Sequence, residues 1–181
     1  MTKRVLLIQG GGQGAYEADQ KLATNIQGLL GSEYDVIYPR MPEEDKPEYE
    51  AWKACIAAEL AEEHGEVIVI GHSLGASFLL KYLSEEIPAA SVKGLFLIAP
   101  PYWGSEDWEV EEYSLPEHFE LSLSRIQRIF FYHSRDDEWV PFTHLARYEE
   151  KLPEATIRKL EGRGHQLNHD LTEVAHDIKS L

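Results

Sequence analysis

The stretch Gly71-His72-Ser73-Leu74-Gly75 constrains this chain more than any other, because it joins the apolar run Val67-Ile68-Val69-Ile70 to a helix-like run from Ala76 to Tyr82. In a Gly-x-Ser-x-Gly turn between strand and helix, the serine is held in a strained backbone conformation that exposes its hydroxyl. Side chains two residues to either side would clash, hence the two glycines. The Leu74 N–H, opening the following helix, is expected to point into the same space and bind a developing oxyanion. One turn thus offers a nucleophile and an electrostatic stabiliser.

Three fixed residues are a weak pattern on their own. Downstream, however, the partners stand in the order Ser, Asp, His that such a fold requires. Asp137 lies in Arg135-Asp136-Asp137-Glu138-Trp139-Val140-Pro141, after the apolar run Ile129 to Tyr132, and His165 lies in Gly162-Arg163-Gly164-His165, after Ala155 to Leu160. All three are expected just past the C-terminal ends of parallel strands, where open α/β sheets place their sites.

Through Gly-His-Ser-Leu-Gly, Asp-Glu-Trp-Val-Pro and Gly-His, the chain resembles the α/β-hydrolase superfamily over essentially its whole length. With the opening Val5-Leu6-Leu7-Ile8-Gln9-Gly10-Gly11-Gly12, it resembles the small, lidless serine hydrolases related to retinoblastoma-binding protein nine and the YdeN proteins. Gln9-Gly10 stands where the superfamily often has His-Gly. The resemblance implies a minimal hydrolase sheet lacking the first two of eight strands, with six parallel strands in the order 2-1-3-4-5-6. It also implies a Ser73-His165-Asp137 triad, with Asp137 rather than Asp136 as the acid because two residues separate it from Val140-Pro141.

The chain's own pattern agrees with an α/β class, a three-layer α/β/α sandwich around a mostly parallel sheet of about six strands. Strands are predicted at Arg4 to Gln9, Tyr34 to Tyr38, Glu66 to Ile70, Lys93 to Ile98, Gln127 to His133 and Thr156 to Leu160. Several are apolar on consecutive residues, as when both faces are covered. Helices are predicted through Leu22, Ile26, Leu29 and Leu30, over Pro47 to His64, and through Leu171 to Leu181. The 181 residues are expected to form one domain, 1–181, with no repeat or low-complexity linker.

Lys and Arg number 17 against 32 Asp and Glu, a formal net charge of -15, which opposes phosphate backbones and anionic membranes. The expected partner is a small-molecule acyl substrate, with no nucleic acid and no membrane, for a monomer or small homo-oligomer. Cys55 is the single cysteine, so no internal disulfide forms, and its spacing with Tyr49, Trp52, Ile56 and Leu60 predicts a packed thiol rather than a nucleophile. The apolar run after Met1-Thr2-Lys3-Arg4 is too brief for a signal peptide, so a cytoplasmic location is expected.

A serine hydroxyl is a weak nucleophile at neutral pH, so a neutral imidazole, here His165, must take its proton. Asp137 would fix the imidazole tautomer and stabilise the imidazolium. Gly11 N–H is the expected second oxyanion donor beside Leu74, and Gly12, Trp103 and Trp139 are expected to contact substrate. The stretch Pro100 to Ser124, where larger relatives insert a lid, reads equally as packed surface loop or pocket wall. His72 is expected to point away from the serine, and His169 and His176 to face solvent on the closing helix. His165 and His169 have an i, i+4 spacing but no His-Glu-x-x-His arrangement, so no metal and no cofactor is expected.

Two readings compete with a serine hydrolase acting on small carboxylic esters or related thioesters, amides or peptides. A nucleotide-binding module would use Gly10-Gly11-Gly12-Gln13-Gly14, but position 15 is Ala, Pro39-Arg40 follows the second strand where an acid belongs, and no P-loop lysine is present. A catalytically silent binding protein on a hydrolase fold is the other, and the co-occurrence of Ser73, Asp137 and His165 opposes it.

Overall fold

The computed structural model describes residues 2–104 and 108–181. Strands and helices alternate as β1 (Lys3–Ile8), α1 (Ala15–Leu30), β2 (Tyr34–Ile37), α2 (Tyr49–Ala61), β3 (Glu66–His72), α3 (Leu74–Glu85), β4 (Ser91–Ile98), α4 (Phe119–Leu123), β5 (Ile129–Ser134), α5 (Thr143–Lys151), β6 (Thr156–Leu160) and α6 (Thr172–Lys179). The six strands form one sheet in the order β2-β1-β3-β4-β5-β6, every neighbouring pair parallel.

Strand alternation sorts the core into two layers. Val5, Leu7, Ile68, Ile70, Phe96, Ile98, Phe130 and Tyr132 face α1 and α6, meeting Leu22, Ile26, Leu30, Val174 and Ile178. Leu6, Ile8, Val67, Val69, Leu95, Leu97 and Phe131 face the other way, against Trp52, Ile56, Phe78, Leu79, Phe119, Leu145 and Tyr148 of α2, α3, α4 and α5. Each such side chain contributes roughly 1.5–3 kcal/mol when fully buried. The central strands therefore need apolar residues at consecutive positions, which is why β3 reads Val-Ile-Val-Ile.

Most differences from the sequence reading are at element ends. The second predicted helix is α2, Tyr49–Ala61, because Pro47 sits before it in an extended lead-in and Glu62 to His64 run out of apolar partners. The strand predicted from Gln127 starts at Ile129 and extends to Ser134, and the closing helix is Thr172–Lys179 rather than Leu171 to Leu181. Helices α4 and α5 were not predicted. His169 lies in a short 3-10 turn before α6, half-buried, while His176 is exposed on α6 itself. Cys55 is half-buried at the margin of the core rather than enclosed in it, and burial pushes its thiol pKa up. No helix among the described residues is long and apolar enough to cross a membrane.

Candidate active site

Ser73 sits between β3 and α3 with φ 52° and ψ −122°, a left-side conformation that a non-glycine residue adopts at a cost of about 1–3 kcal/mol. The neighbours enforce it. The Ser73 N–H donates to the Ile98 carbonyl at 2.8 Å, and the Ala76 and Ser77 N–H groups return to the Ser73 carbonyl. A β-carbon at Gly71 would stand 2.5 Å from the Ala76 Cα, and one at Gly75 would stand 2.1 Å from the Gln9 carbonyl oxygen. Both glycines are thus required by the backbone of a neighbouring segment.

Asp137 follows β5 and His165 follows β6. His165 Nδ1 lies 2.8 Å from Asp137 Oδ2, leaving Nε2 as the remaining ring nitrogen. The Asp137 carboxylate is enclosed by further donors: Oδ1 accepts the N–H groups of Trp139 and Val140, both at 2.8 Å, and Oδ2 lies 3.1 Å from His133 Nε2. Burial pushes this carboxyl up, but hydrogen bonds from His133 and His165 and the Val140 N–H outweigh it. The result is a pKa well below the usual carboxylate range. Burial lowers the His165 pKa, which favours the neutral ring.

Asp136 does different work. Its Oδ1 accepts from the Ser134 hydroxyl and from the N–H groups of Arg163 (3.1 Å) and Gly164 (3.3 Å), tying the end of β5 to the loop that carries His165.

Opposite the elbow, the glycine loop after β1 has its N–H groups divided. Gly10 N–H donates to Asp19 Oδ2 at 2.7 Å and Gly12 N–H to the Glu44 carbonyl at 2.6 Å. Gly11 N–H is the one of the three without such a partner among the described residues, and a β-carbon at Gly11 would approach Leu74 Cδ2 to 2.6 Å. Gly11 and Leu74 are therefore in contact, and the Leu74 N–H lies in the first turn of α3, where no intrahelical acceptor exists.

These residues open onto one cleft of about 610 Å³. Its lining includes Gly11, Gly12, Ser73, Leu74, Trp103, Trp139 and His165, so it gathers the predicted site residues except Asp137, which stands behind His165. Within Pro100 to Ser124 the aromatics divide. Trp103, Trp108 and Tyr113 wall the cleft, whereas Tyr102 stacks edge-on against Tyr148 and Phe119 is buried in the core; residues 105–107 lie outside the described residues. Ser77 and Tyr148 hydroxyls both hold the Pro101 carbonyl, fixing the start of this wall. Trp139 is 71% exposed and stands at the rim.

His72 has partners of its own. It borders the same cleft as Ser73 and is buried, with Nδ1 on Asp19 and Nε2 on the His165 carbonyl. The supporting roles of four residues were not predicted from the sequence. Asp19 gathers Gly10, His72 and Gln166, the last through its Nε2 at 2.9 Å. Glu44 accepts the N–H groups of Gly14 and Tyr16 and the Gln9 amide, so it props the glycine loop and the start of α1 together. Gln9, fully buried where the superfamily often has His, also accepts the Met41 N–H. His133 backs Asp137, and its own Nε2 also reaches the Val140 carbonyl.

A family model described as serine hydrolase matches residues 27–172. Among solved structures, the chain is similar to the ydeN gene product from B. subtilis, at 19% identity and a TM-score of 0.79, over 99% of this chain and 98% of that one. It is similar to a serine hydrolase involved in carbazole degradation, the CarC enzyme, at 16% identity and a TM-score of 0.75, over 98% and 90%. The thioesterase domain from the curacin biosynthetic pathway aligns at 17% identity and a TM-score of 0.69, over 99% and 90%. At these identities the structural likeness is one of fold. No curated protein matches the chain.

Proposed function

The chain belongs to the serine hydrolase family, and we propose that it cleaves small carboxylic esters through an acyl-enzyme formed on Ser73. The observation that carries this reading is the 2.8 Å contact between His165 Nδ1 and Asp137 Oδ2 in a cleft that also exposes a strained Ser73. The Ser73 hydroxyl attacks the acyl carbon while His165 takes its proton through Nε2. The Asp137 carboxylate holds Nδ1–H and stabilises the imidazolium without accepting the proton. The Leu74 and Gly11 N–H groups stabilise the tetrahedral oxyanion, and no charge need be reorganised to do so, since both are backbone dipoles. The leaving alcohol departs with the proton from His165. Water, activated by the same imidazole, then releases the acid.

The lining of the cleft supports a small, uncharged acyl substrate: Pro47, Leu74, Trp103, Trp108, Tyr113 and Val140 are apolar or aromatic, and no Lys or Arg is among the described residues that form it. The test is a panel of nitrophenyl esters, acyl thioesters and anilides with the purified protein. Esters are expected to give the highest kcat/KM. Absence of turnover across the panel, together with no labelling by an active-site phosphonate, overturns the reading in favour of a silent binding protein.

A further inference from the structure

Beside His165 lies a second aspartate–histidine pair, bordering the same cleft yet almost entirely buried. Asp19 and His72 are each 1% exposed, and Asp19 Oδ2 stands 2.8 Å from His72 Nδ1. The other ring nitrogen, Nε2, stands 3.0 Å from the His165 carbonyl oxygen. A carbonyl oxygen is an acceptor only, so Nε2 must carry a proton. Independently of His72, Asp19 receives two N–H groups, from Gly10 on Oδ2 and from Gln166 on Oδ1, an environment that favours the ionised carboxylate. An ionised carboxylate accepts only, so Nδ1 must carry a proton as well. His133 differs: its Nε2 faces acceptors, but its Nδ1 is buried with no hydrogen-bond partner among the described residues.

We infer that His72 is a buried imidazolium, held by Asp19, that clamps the main chain of the His165 loop and sets a fixed positive charge beside the His165 ring. The two rings are 4.7 Å apart, centroid to centroid. The clamp joins four segments: Asp19 from α1, Gly10 from the glycine loop, His72 from the end of β3, and both the carbonyl of His165 and the side chain of Gln166 from the loop after β6. It therefore couples the glycine loop to the histidine loop.

The charged groups facing His72 are Asp19 from α1, Asp137 from the loop after β5, and His165 itself. Burial pushes the His72 pKa down, but the charge and hydrogen bond of Asp19 and the His165 carbonyl outweigh it and raise it above the ordinary histidine value. Burial likewise pushes the Asp19 carboxyl up, and His72, Gly10 and Gln166 outweigh that and lower it. For His165, burial acts first and the His72 charge adds to the lowering, while Asp137 and Asp19 oppose it. A cation beside a base keeps that base unprotonated to a lower pH. His72 is thus a positioning and tuning residue rather than a reacting one.

The effect on His165 rests on the proposal that His165 is the base; the protonation of His72 does not. Nitrogen-15 NMR of the histidine rings in the full-length protein, from pH 5 to 9, reads the second directly. Both His72 ring nitrogens are expected to be protonated at pH 7, and a single protonated nitrogen at pH 7 overturns the inference. In Asp19→Asn the same spectra are expected to show loss of one His72 ring proton.

The His72→Gln variant keeps an N–H donor for the His165 carbonyl while removing the charge. Its acidic limb in kcat/KM against pH is expected to move upward by about one pH unit, which is about a tenfold loss of relative activity on the limb. Reduced turnover with an unmoved limb would make His72 a structural spacer and overturn the tuning role. If the protein hydrolyses no ester, the NMR result still decides the charge of His72, and the failure belongs to the hydrolase reading alone.

Discussion

His165 Nδ1 lies 2.8 Å from Asp137 Oδ2, whereas the adjacent carboxylate of Asp136 turns to the main chain of Arg163 and Gly164. Two neighbouring acids thus serve the same loop in different ways, one on the imidazole and one on the backbone. Asp137→Asn removes the charge opposite the imidazolium and permits the wrong tautomer, so kcat is expected to fall on the order of 10³- to 10⁴-fold with the fold retained. Asp136→Asn keeps an acceptor oxygen for both N–H groups and is expected to change kcat by less than about tenfold. Steady-state rates of the two variants with circular dichroism as the fold control check this, and the reverse order would reassign the acid.

Ser73 is the expected site of covalent chemistry because its backbone is held away from both strand and helix geometry by Ile98, Ala76 and Ser77. A fluorophosphonate should label the wild-type protein at Ser73 and leave Ser73→Ala unlabelled, while hydrolysis falls by roughly three to six orders of magnitude. Mass spectrometry of the labelled peptide gives the answer. Equal labelling of Ser73→Ala would move the nucleophile elsewhere.

The parts of this site that the sequence reveals are those with local causes. Ser73 is legible because its two glycines and the flanking strand and helix lie within a few residues, and Asp137 and His165 because each follows an apolar strand. The sheet order came from the resemblance, since parallel register depends on crossovers that no local pattern encodes. Asp19 and Glu44 were not legible: a chain with 32 acidic residues offers no local mark for two of them. Asp19 did carry one signal, since it sits three residues before Leu22 and seven before Ile26 on the buried face of α1, where a carboxylate demands partners. Glu44 carried none, because its partners Gln9, Gly14 and Tyr16 meet it only after the chain has folded. Helix α5 was missed because it buries only His144, Leu145 and Tyr148 among charged neighbours.

Glu44 supports a prediction that a surface acid would not. Its side chain holds the Gly14 and Tyr16 N–H groups and the Gln9 amide, and its carbonyl holds Gly12 N–H, so it fixes the loop that presents Gly11. Glu44→Ala releases that loop and is expected to lower kcat by about 10²-fold with a smaller change in KM, because a displaced oxyanion donor acts on the transition state. Glu44→Gln keeps one acceptor oxygen and should recover part of the loss. Equal rates for wild type and Glu44→Ala would separate this loop from the reaction.

Acid stability follows from the direction of the carboxylate shifts. Asp19, Asp137 and Asp177, the last of which accepts from the Tyr132 hydroxyl and the Arg158 guanidinium, all have folded pKa values below the ordinary 3.8. A carboxylate lowered on folding stabilises the native state above its unfolded pKa, and that contribution is lost as pH falls through the folded value. Urea midpoints are therefore expected to drop once pH passes below about 4. Asp137→Asn and Asp19→Asn should flatten that acidic decline while lowering stability at pH 7. A midpoint that rises on acidification would contradict the hydrogen bonding described for both carboxylates.

The cleft sets the last expectation, a preference for short, uncharged acyl groups. Its walls are loops and their aromatics: the glycine loop on one side, Trp103, Trp108 and Tyr113 on another, and the exposed Trp139 at the rim. Each methylene that a substrate buries contributes about 0.8 kcal/mol, close to a fourfold gain, so kcat/KM should climb while the acyl chain lies against these rings. Beyond them the chain meets water and the gain stops. Asp45 at the edge of the cleft and a formal net charge of -15 add a second discrimination, against esters carrying a carboxylate. Because Asp45 is exposed, salt should relieve part of that penalty. Nitrophenyl esters of increasing acyl length, and a hemisuccinate beside its neutral isostere at low and high salt, measure both effects. A rise in kcat/KM that continues to long acyl chains would require a tunnel in place of the open cleft, and equal rates for the charged and neutral pair would remove the electrostatic argument.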